Sequence, residues 1–411
     1  MSPVESKDNI QENEGHIEIN KEVILKKITS ELKKCNGPES LAELLNQALP
    51  LHISEQPNRK SKPVTGKILN YYAYHKKSTR YTEFKIKKRA IGQVRVIKAP
   101  ARGLKRIQRL LLICLQSVFT ADKAAHGFVA ERNVLTNALP HVGHRFVLNI
   151  DLKDFFTNTH FGRVVAVLQL SPFSFSSKAA HLIANLCCDN GVLPQGAPTS
   201  PLLTNAVCQR LDRQLRQVAT RYRCSYTRYA DDITFSSNRP VFTAAFDSEV
   251  GTIIKGEGYE ENEKKRRIQT PQMRQEVTGV VVNKKANVPR EFSRLIRNML
   301  HNWKTKGFEA ANATLRMKYE GTKATTRYRG NIPKLDRVLA GKIAYLGMIR
   351  GKEDKSYLAF SSSLARLTNS EYVDLDELLQ ILEQAEAEFK QTEITGSADD
   401  RSNISATPED N

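Results

Sequence analysis

The sequence predicts an α+β protein in which a mixed central region is flanked by helices. Residues 1–60 begin polar and then carry two amphipathic helical patterns, KEVILKKITSELKKC and ESLAELLNQAL, with apolar residues at three- and four-residue spacing. From Tyr81 to about Asn283, short runs of β-forming residues alternate with longer helical stretches. From Val288 to about Leu367 the pattern is helical and basic. These three observations place the sheet in the middle of the chain and helices on both sides of it.

The charge of the chain is large and unevenly distributed. Lys and Arg total 63 against 44 Asp and Glu, a formal net charge of +19. Residues 371–411 hold 12 acids and 2 bases, which leaves +29 on residues 1–370, and this acidic tail is expected to be partly disordered. The basic excess indicates a polyanionic partner, although a basic and merely solvated exterior gives the same count. Motifs therefore have to decide between the two.

Neither a membrane span nor an export signal is evident in the sequence. No apolar run approaches the ~20 residues that a span needs, and MSPVESKDNIQENEGH lacks the cationic start and apolar core of a signal peptide. We therefore expect a cytoplasmic protein that does not associate with membranes. The six cysteines form no CxxC pair, so we expect buried reduced thiols and no zinc site.

The stretch YTRYADDITFSS places two adjacent aspartates, Asp231 and Asp232, between two runs of β-forming residues. This pattern predicts a tight β-hairpin with both carboxylates at its tip. Aspartate is also common in surface turns, so the pair alone does not identify a catalytic site.

A third acid, Asp151, follows the apolar run Phe146–Ile150 in RFVLNIDLKDFFTN. Mg²⁺ is held by one or two carboxylates together with substrate phosphates and water. Two such ions ~3.5–4 Å apart can activate an attacking hydroxyl and stabilise the leaving oxygen in nucleotidyl transfer. Asp151 from one β-element, converging with Asp231 and Asp232 from another, would suit two Mg²⁺ ions. The repulsion between the adjacent aspartates would then serve to hold metal.

A Gly- and Pro-rich loop precedes a helix in GVLPQGAPTSPLLTNAVCQRL, where Ser200 and Pro201 suit a helix start. A rigid loop of this kind lets the backbone approach a flat or phosphorylated ligand. Alone, the segment is most simply an ordinary loop. Beside the two acidic segments, it indicates a loop that contacts a ligand.

Together, NIDLKDFF, GVLPQGAPTSPLLTNAV and RYADDITFS resemble, in this order and spacing, the central motifs of reverse transcriptases, with a YxDD box at Tyr229–Asp232. Two further signatures resemble those of retron reverse transcriptases: NAxxH at Asn137–His141 and VTG at Val277–Gly279. The resemblance covers about Ile68 to Gly351. It implies a right-hand polymerase fold. The expected regions are an N-terminal helical extension (1–60), fingers (61–145), a palm with an antiparallel sheet (146–285), a helical thumb (286–370) and an acidic tail (371–411).

The resemblance also implies roles for single residues. Asp151, Asp231 and Asp232 match the catalytic, metal-binding triad. Phe156 matches the steric gate that excludes a ribose 2′-OH, although an aromatic residue after a strand is more often core. Gln195 and Gly196 match the loop beneath the incoming nucleotide and template base. The fingers cations that meet the triphosphate are matched by Lys87, Lys88 and Arg95. Lys265 matches a lysine at the departing pyrophosphate. Lys265 lies in KKRR, a run that could instead follow a phosphate backbone.

RNA contacts are expected at the two signatures and along the thumb. The residues are Asn137, His141, Val277, Thr278, Gly279, Arg290, Arg294, Arg297 and Lys304. The four thumb cations recur at intervals of three to seven over a helical pattern, so they can form one stripe that follows the phosphates of an RNA stem. His141 has no nearby partner for nucleophilic chemistry and is either structural or in contact with RNA. Trp303 is expected in the thumb core.

The resemblance implies RNA-directed DNA synthesis from deoxynucleotides on a dedicated non-coding RNA. Priming from the 2′-OH of an internal guanosine would give a branched RNA-linked single-stranded DNA (msDNA) that stays with the protein. The resemblance further implies a role in anti-phage defence together with a separate effector protein.

Two alternative functions remain. Another bacterial reverse transcriptase, such as a group II intron-like, diversity-generating or abortive-infection type, would share the three motifs. A non-catalytic RNA-binding scaffold would keep the basic surface without needing the three acids. The sequence leaves the RNA, the effector and the oligomeric state open.

Overall fold

The structure is a computed structural model that describes residues 21–54, 62–75, 79–87, 94–319 and 332–368. The helices are α1 Lys21–Leu32, α2 Pro38–Gln47, α3 Leu49–Ser54, α4 Gly66–Asn70, α5 Arg102–Gln116, α6 Val134–Ala138, α7 Phe161–Gln169, α8 Ser177–Cys187, α9 Ser200–Val207, α10 Gln209–Arg221, α11 Ala244–Gly256, α12 Arg290–Lys306, α13 Phe308–Tyr319, α14 Leu335–Arg350 and α15 Lys355–Leu367. The strands are β1 Tyr81–Lys87, β2 Val94–Pro100, β3 Phe146–Asp151, β4 Ser225–Tyr229, β5 Asp232–Ser237, β6 Arg267–Gln269, β7 Glu276–Val277 and β8 Val280–Val281. A π-helical turn, Tyr71–His75, continues α4, and a 3-10 turn, Leu139–His141, follows α6. The predicted acidic tail and Lys88 lie outside the described residues.

The N-terminal helices α1 and α2 form where the amphipathic patterns predict them. Their buried leucines, such as Leu32 and Leu41, belong to the same hydrophobic cluster as the buried residues of α5, α7 and α8. Each fully buried leucine contributes about 1.5–3 kcal/mol relative to an exposed one. The predicted N-terminal extension therefore shares a hydrophobic core with α5, α7 and α8, the largest of the three clusters among the described residues.

A four-stranded antiparallel sheet, in the order β4-β5-β3-β6, lies at the centre of the chain. Because side chains alternate along a strand, one face is apolar: Leu148 and Ile150 of β3 pack with Ile233 and Phe235 of β5 and with the buried residues of α10 and α11. The other face carries polar side chains on β4 and β5, and Asp151 at the end of β3. The predicted α+β class is confirmed.

The hairpin β1–β2 packs against the loop that precedes α9. The backbone N–H of Lys98 donates to the carbonyl of Gln195 over 2.8 Å. Gly196 has a φ of +123°, and a Cβ there would lie 2.8 Å from a methyl carbon of Ile97. A side chain at Gly196 would therefore meet both backbone strain and a clash. Because glycine has no side chain, the loop can pack closely under β2.

The C-terminal helices form a second core. Ile296, Leu300 and Trp303 of α12 are buried with residues of α14 and α15, and the cluster extends to Val277 and Val280 of the β7–β8 hairpin. Trp303, predicted to be core, is buried in this cluster with 7% of it exposed, and its assignment to a thumb stays a prediction. Within the described ranges, no helix is long and apolar enough to cross a membrane.

Candidate active site

The central sheet brings the three predicted carboxylates together. Asp151, the last residue of β3, lies directly opposite Asp232, the first residue of β5. Such a pair has Cα atoms about 4.5–5.5 Å apart, with both side chains on one face of the sheet. Asp231 lies in the turn just before β5, and its carbonyl accepts a 2.9 Å hydrogen bond from the N–H of Leu152. The predicted hairpin is confirmed, with Asp231 in its turn and Asp232 at the start of its second strand.

The turn of this hairpin contains a strained residue. Ala230 has a φ of +54°, a conformation that L-residues with a Cβ rarely adopt. The two residues of the turn, Ala230 and Asp231, connect Tyr229 to its paired residue Asp232. The strain lies at the residue just before Asp231 and Asp232, and surrounding contacts must hold it.

Asp151 is engaged by two partners from the segment before β6. The Lys265 ammonium lies 2.6 Å from one carboxylate oxygen, and the Asn262 side-chain amide donates to the other over 3.1 Å. The backbone N–H of Asn262 also donates to the carbonyl of Asp151 over 2.7 Å. Lys265 thus lies against one of the three carboxylates, and its predicted contact with the departing pyrophosphate stays a prediction. Asn262 was not predicted, because nothing in ENEKKRR distinguishes it from a surface asparagine.

The carboxylates repel one another. Burial and the charge of Asp151 raise the pKa of Asp231. Burial and the charges of Asp231 and Asp151 raise the pKa of Asp232 to about 7. Burial is the larger cause of the raised pKa of both acids, and the neighbouring carboxylate charges add to it. The site therefore holds more negative charge than Lys265 neutralises, which favours a bound cation.

These residues fit a divalent metal. The donors are hard carboxylate oxygens, which Mg²⁺ prefers as ligands. Across the described part of the chain, no three acidic, imidazole or thiol groups are arranged as a ready-made metal cage. An open set of this kind suits an ion that also takes ligands from substrate phosphates and water.

Phe156, five residues after Asp151 in the chain, is half-buried. Its ring centroid is 5.5 Å from that of Phe155, which is core, and 6.0 Å from that of Phe128. Phe128 is 43% exposed and has a φ of +61°. Phe156 is thus partly open to solvent, as a gate requires, and the exposed ring of Phe128 lies next to it, a contact that the sequence did not indicate.

The other predicted nucleotide contacts lie on β1, on β2 and in the loop that precedes α9. Arg95 of β2 is exposed and lies close enough to lower the pKa of Asp231, against the larger raising effects. Gln195 is half-buried and Gly196 is buried in the loop under β2. Lys87 ends β1, but its side chain, like all of Lys88, lies outside the described residues.

A family model described as "Reverse transcriptase (RNA-dependent DNA polymerase)" matches residues 86–282, which include the whole central sheet. The chain is also 31% identical over 261 residues to the Retron Ec86 reverse transcriptase of Escherichia coli, in an alignment that covers 63% of this chain and 81% of that relative. The chain belongs to the retron reverse transcriptase family. Its central sheet is accordingly the palm of a right-hand polymerase fold, as the sequence predicted. Reverse transcriptases generally depend on divalent metals, in keeping with the acidic site.

Two relatives from Myxococcus xanthus are more similar in sequence. The Retron Mx65 reverse transcriptase is 37% identical over 279 residues, covering 63% of this chain and 65% of that relative. The Retron Mx162 reverse transcriptase is 36% identical over 316 residues, covering 67% and 61%. The chain therefore spans less than two thirds of the length of these two. A telomerase structure from Candida albicans aligns over 84% of this chain and 70% of its own at 11% identity, with a TM-score of 0.38.

The retron signature NAxxH is buried under the palm. Asn137 and His141 are both 0% exposed. The two ring nitrogens of His141 lie 2.7 Å from the Ser236 hydroxyl and 2.8 Å from the Thr227 hydroxyl, on β5 and β4. Burial and the charges of nearby histidines lower the pKa of His141 to about 3, so the ring is neutral. The prediction that these two residues contact RNA is corrected: their side chains have no surface to offer, and His141 joins α6 to the catalytic hairpin.

The retron signature VTG forms the turn of the β7–β8 hairpin. Val277 pairs with Val280, and between them Thr278 and Gly279 have φ values of +47° and +84°. Two successive positive φ values are those of a type I′ turn. Val277 is 0% exposed, so its predicted RNA contact is also corrected. Gly279 is exposed, with nothing within 4 Å of a Cβ built there.

The two signatures meet each other. The Asn137 side-chain amide lies 3.4 Å from the Thr278 hydroxyl, which itself lies 3.5 Å from the carbonyl of Val134. The VTG turn is therefore packed on the α6 segment, which His141 fastens to the palm.

The predicted cationic stripe is present on α12. Arg290, Arg294, Arg297 and Lys304 are all exposed, and at 100° per residue they lie within about 80° of one another around the helix. Exposed His301 falls on the same face. The opposite flank of α12 carries its buried residues, so the stripe faces away from the C-terminal core.

Proposed function

We propose that this chain is an RNA-directed DNA polymerase that holds two Mg²⁺ ions through Asp151, Asp231 and Asp232 and incorporates deoxynucleotides. The observation that carries the proposal is the register of the palm, in which Asp151 lies opposite Asp232 with Asp231 in the adjoining turn. Domain boundaries at 61–145 for the fingers, 146–285 for the palm and 286–370 for the thumb belong to the same proposal.

The residues around the cleft have distinct parts in this reaction. Bound Mg²⁺ makes the primer hydroxyl a better nucleophile and neutralises the charge that develops on the triphosphate. Arg95 and Lys265 add positive charge on two sides of the nucleotide, and Phe156 stands against the 2′ position of its sugar. Gln195 and Gly196 support the nucleotide and template base from below. Phosphoryl transfer is mostly a matter of positioning and charge neutralisation.

The substrate is proposed to be a dedicated non-coding RNA, primed from the 2′-OH of an internal guanosine to yield msDNA. Relatives named as retron reverse transcriptases support this, together with the NAxxH and VTG signatures. A separate effector protein and a role in anti-phage defence complete the proposal. RNA would lie along the stripe of α12, with the exposed Gly279 turn at its side, since stems are read mainly through shape and backbone.

Nucleic acid that copurifies with the full-length protein tests this proposal. Sequencing is expected to reveal one short single-stranded DNA joined 2′–5′ to RNA. Unbranched DNA would instead favour another type of bacterial reverse transcriptase. RNA without any DNA, and no extension of a primer–template with Mg²⁺ and deoxynucleotides, would favour a non-catalytic scaffold.

A further inference from the structure

A buried arginine lies beneath the catalytic hairpin. Arg228, on the apolar face of β4, and Asp212 of α10 are both 0% exposed. Two hydrogen bonds join them, from Nε over 2.8 Å and from Nη2 over 2.7 Å, and the Tyr226 hydroxyl donates to the same carboxylate over 2.7 Å. A buried ion pair is often no more stabilising than well-packed apolar residues of similar volume. Stability alone therefore does not explain the pair, and the other hydrogen bonds of Arg228 indicate a second role.

The remaining terminal nitrogen of Arg228 reaches the catalytic turn. Nη1 donates to the carbonyl of Ala230 over 3.0 Å. This carbonyl belongs to the planar peptide that links Ala230 to Asp231, so holding it fixes the direction in which the chain enters Asp231. The same residue has the strained positive φ, which needs an external contact to persist.

A second set of hydrogen bonds connects Arg228, through Asn205, to the turn at Gly127 and Phe128. Nη2 also donates to the side-chain oxygen of Asn205 over 3.2 Å, and the Asn205 amide donates to the carbonyl of Gly127 over 2.9 Å. A Cβ built on Gly127 would lie 2.5 Å from the backbone nitrogen of Ala230, so the two turns are in tight contact. Phe128, the next residue, carries the ring that stands beside Phe156.

We propose that Arg228 and Asn205 are positioning residues that set the catalytic turn and its spacing from the Gly127–Phe128 turn. Arg228 acts on the metal-binding carboxylates through Ala230. Asn205 acts on the gate through Gly127 and Phe128. This inference rests on the proposed polymerase function for its consequences in catalysis, but the positioning itself is measurable without turnover.

The variant Arg228→Met with Asp212→Leu tests the first branch, because a packed apolar pair can keep the core while removing the donor to Ala230. Amide hydrogen exchange in the peptide around 229–232 is expected to accelerate, and Mn²⁺ binding, followed by electron paramagnetic resonance, is expected to weaken about 10-fold, as for lost supports of metal ligands. The melting temperature is expected to fall, because the Tyr226 hydroxyl and the Asn205 oxygen lose buried partners, so both measurements are made at a temperature where the variant is still folded. Tyr226→Phe is the matched control, because it removes a hydrogen bond to Asp212 and leaves the contact to Ala230 in place.

The variant Arg228→Lys separates charge from geometry. A lysine keeps the positive charge but presents a single ammonium in place of the planar fork that reaches three partners. Amide hydrogen exchange in the peptide around 229–232 should therefore still accelerate in this variant. If the turn and Mn²⁺ binding stay as in the wild type in a folded Arg228→Lys or double variant, the positioning role of Arg228 is wrong.

Asn205→Ala tests the second branch. The ratio of ribonucleotide to deoxynucleotide incorporation is expected to rise while Mn²⁺ binding stays close to that of the wild type. An unchanged ratio in a folded and active Asn205→Ala protein would overturn this branch. A wild-type protein that binds Mn²⁺ but extends no primer would instead contradict the proposed function, and the hydrogen-exchange and Mn²⁺ results for Arg228 would still stand.

Discussion

Asp151 and Asp232 face each other across two antiparallel strands although 80 residues separate them in the chain. The pairing puts carboxylates from distant segments on one face of the sheet, while the alternate residues of both strands are buried among α10 and α11. The carboxylates are thus attached to a backbone that the core holds rigidly, which is the condition for holding metal ions in a fixed geometry.

Replacing Asp231 and Asp232 together by Asn should abolish primer extension and leave the protein folded and bound to RNA. The change removes two proposed metal ligands, and it also removes the burial of charge and the carboxylate repulsion that together raise the pKa of Asp232 to about 7, so the melting temperature should stay level or rise. Asp154→Asn is a matched control, because Asp154 is an exposed acid three residues from Asp151. Extension near the wild-type rate in the double variant would rule out this site.

Trimming Phe156 to Ala or Val should admit ribonucleotides, because the ring that meets the 2′-OH is removed. Incorporation of deoxynucleotides should weaken only moderately, as measured by single-nucleotide extension with each substrate. The neighbouring Phe155, which is buried, supplies the contrast: Phe155→Ala should lower stability by about 3–5 kcal/mol without changing sugar selection. A Phe156 variant that melts early and still rejects ribonucleotides would show that Phe156 is core.

Stability should fall in mild acid partly because of His141. The pKa of its buried ring is about 3, against about 6.5 in an unfolded chain. Between these values the unfolded state binds the extra proton, so this contribution to stability is full above pH 6.5 and declines as the pH falls towards 3, by at most about 1.4 kcal/mol per pH unit.

Urea unfolding of the wild type and of His141→Gln between pH 7.5 and 5 measures this contribution. The variant is expected to be less stable at pH 7.5 but to depend less on pH. Some dependence should remain, because burial and Arg132 lower the pKa of His126 to about 4. The exposed His181→Gln serves as control. Equal slopes for the wild type and His141→Gln would contradict a neutral buried His141.

The stripe on α12 should contribute salt-dependent affinity for RNA. Changing Arg290, Arg294, Arg297 and Lys304 to Gln should weaken binding and lower the slope of log affinity against log salt by about 3, since each neutralised phosphate contributes about 0.7–0.9. Extension of a short external primer–template should change little by comparison.

Four exposed lysines on and just after α1 provide a control of equal charge: Lys26, Lys27, Lys33 and Lys34. Their replacement by Gln lowers the net charge by the same amount on another surface. A greater loss of RNA affinity in this control than in the α12 variant would move RNA recognition to the N-terminal helices.

The elements that carry Asp151, Asp231 and Asp232 could be predicted from the sequence, because each of them has a strong local signal. Asp231 and Asp232 lie between two β-forming runs, and Asp151 ends an apolar run, so their elements could be predicted from neighbouring residues alone. The supporting residues could not be found in this way. Arg228 reads as an exposed strand residue until α10 covers it, and Asn262 and Asn205 act through contacts with segments about 80–110 residues away in the chain.

His141 shows the same limit from the other direction. The signature was visible in the sequence, but its chemistry depends on the hydroxyls of Thr227 and Ser236, which only the register of β4 and β5 places side by side. An exposed histidine next to RNA and a buried histidine between two hydroxyls have the same local sequence. Burial decided between them.

The shared core of the N-terminal helices determines how this protein can be studied. Helices α1 and α2 cover apolar faces of α5 and α8, so a fragment that lacks them would expose a contiguous apolar surface and tend to aggregate. Expression strategies, fusion tags and split-protein designs should therefore leave everything from Lys21 onward intact and place their junctions elsewhere.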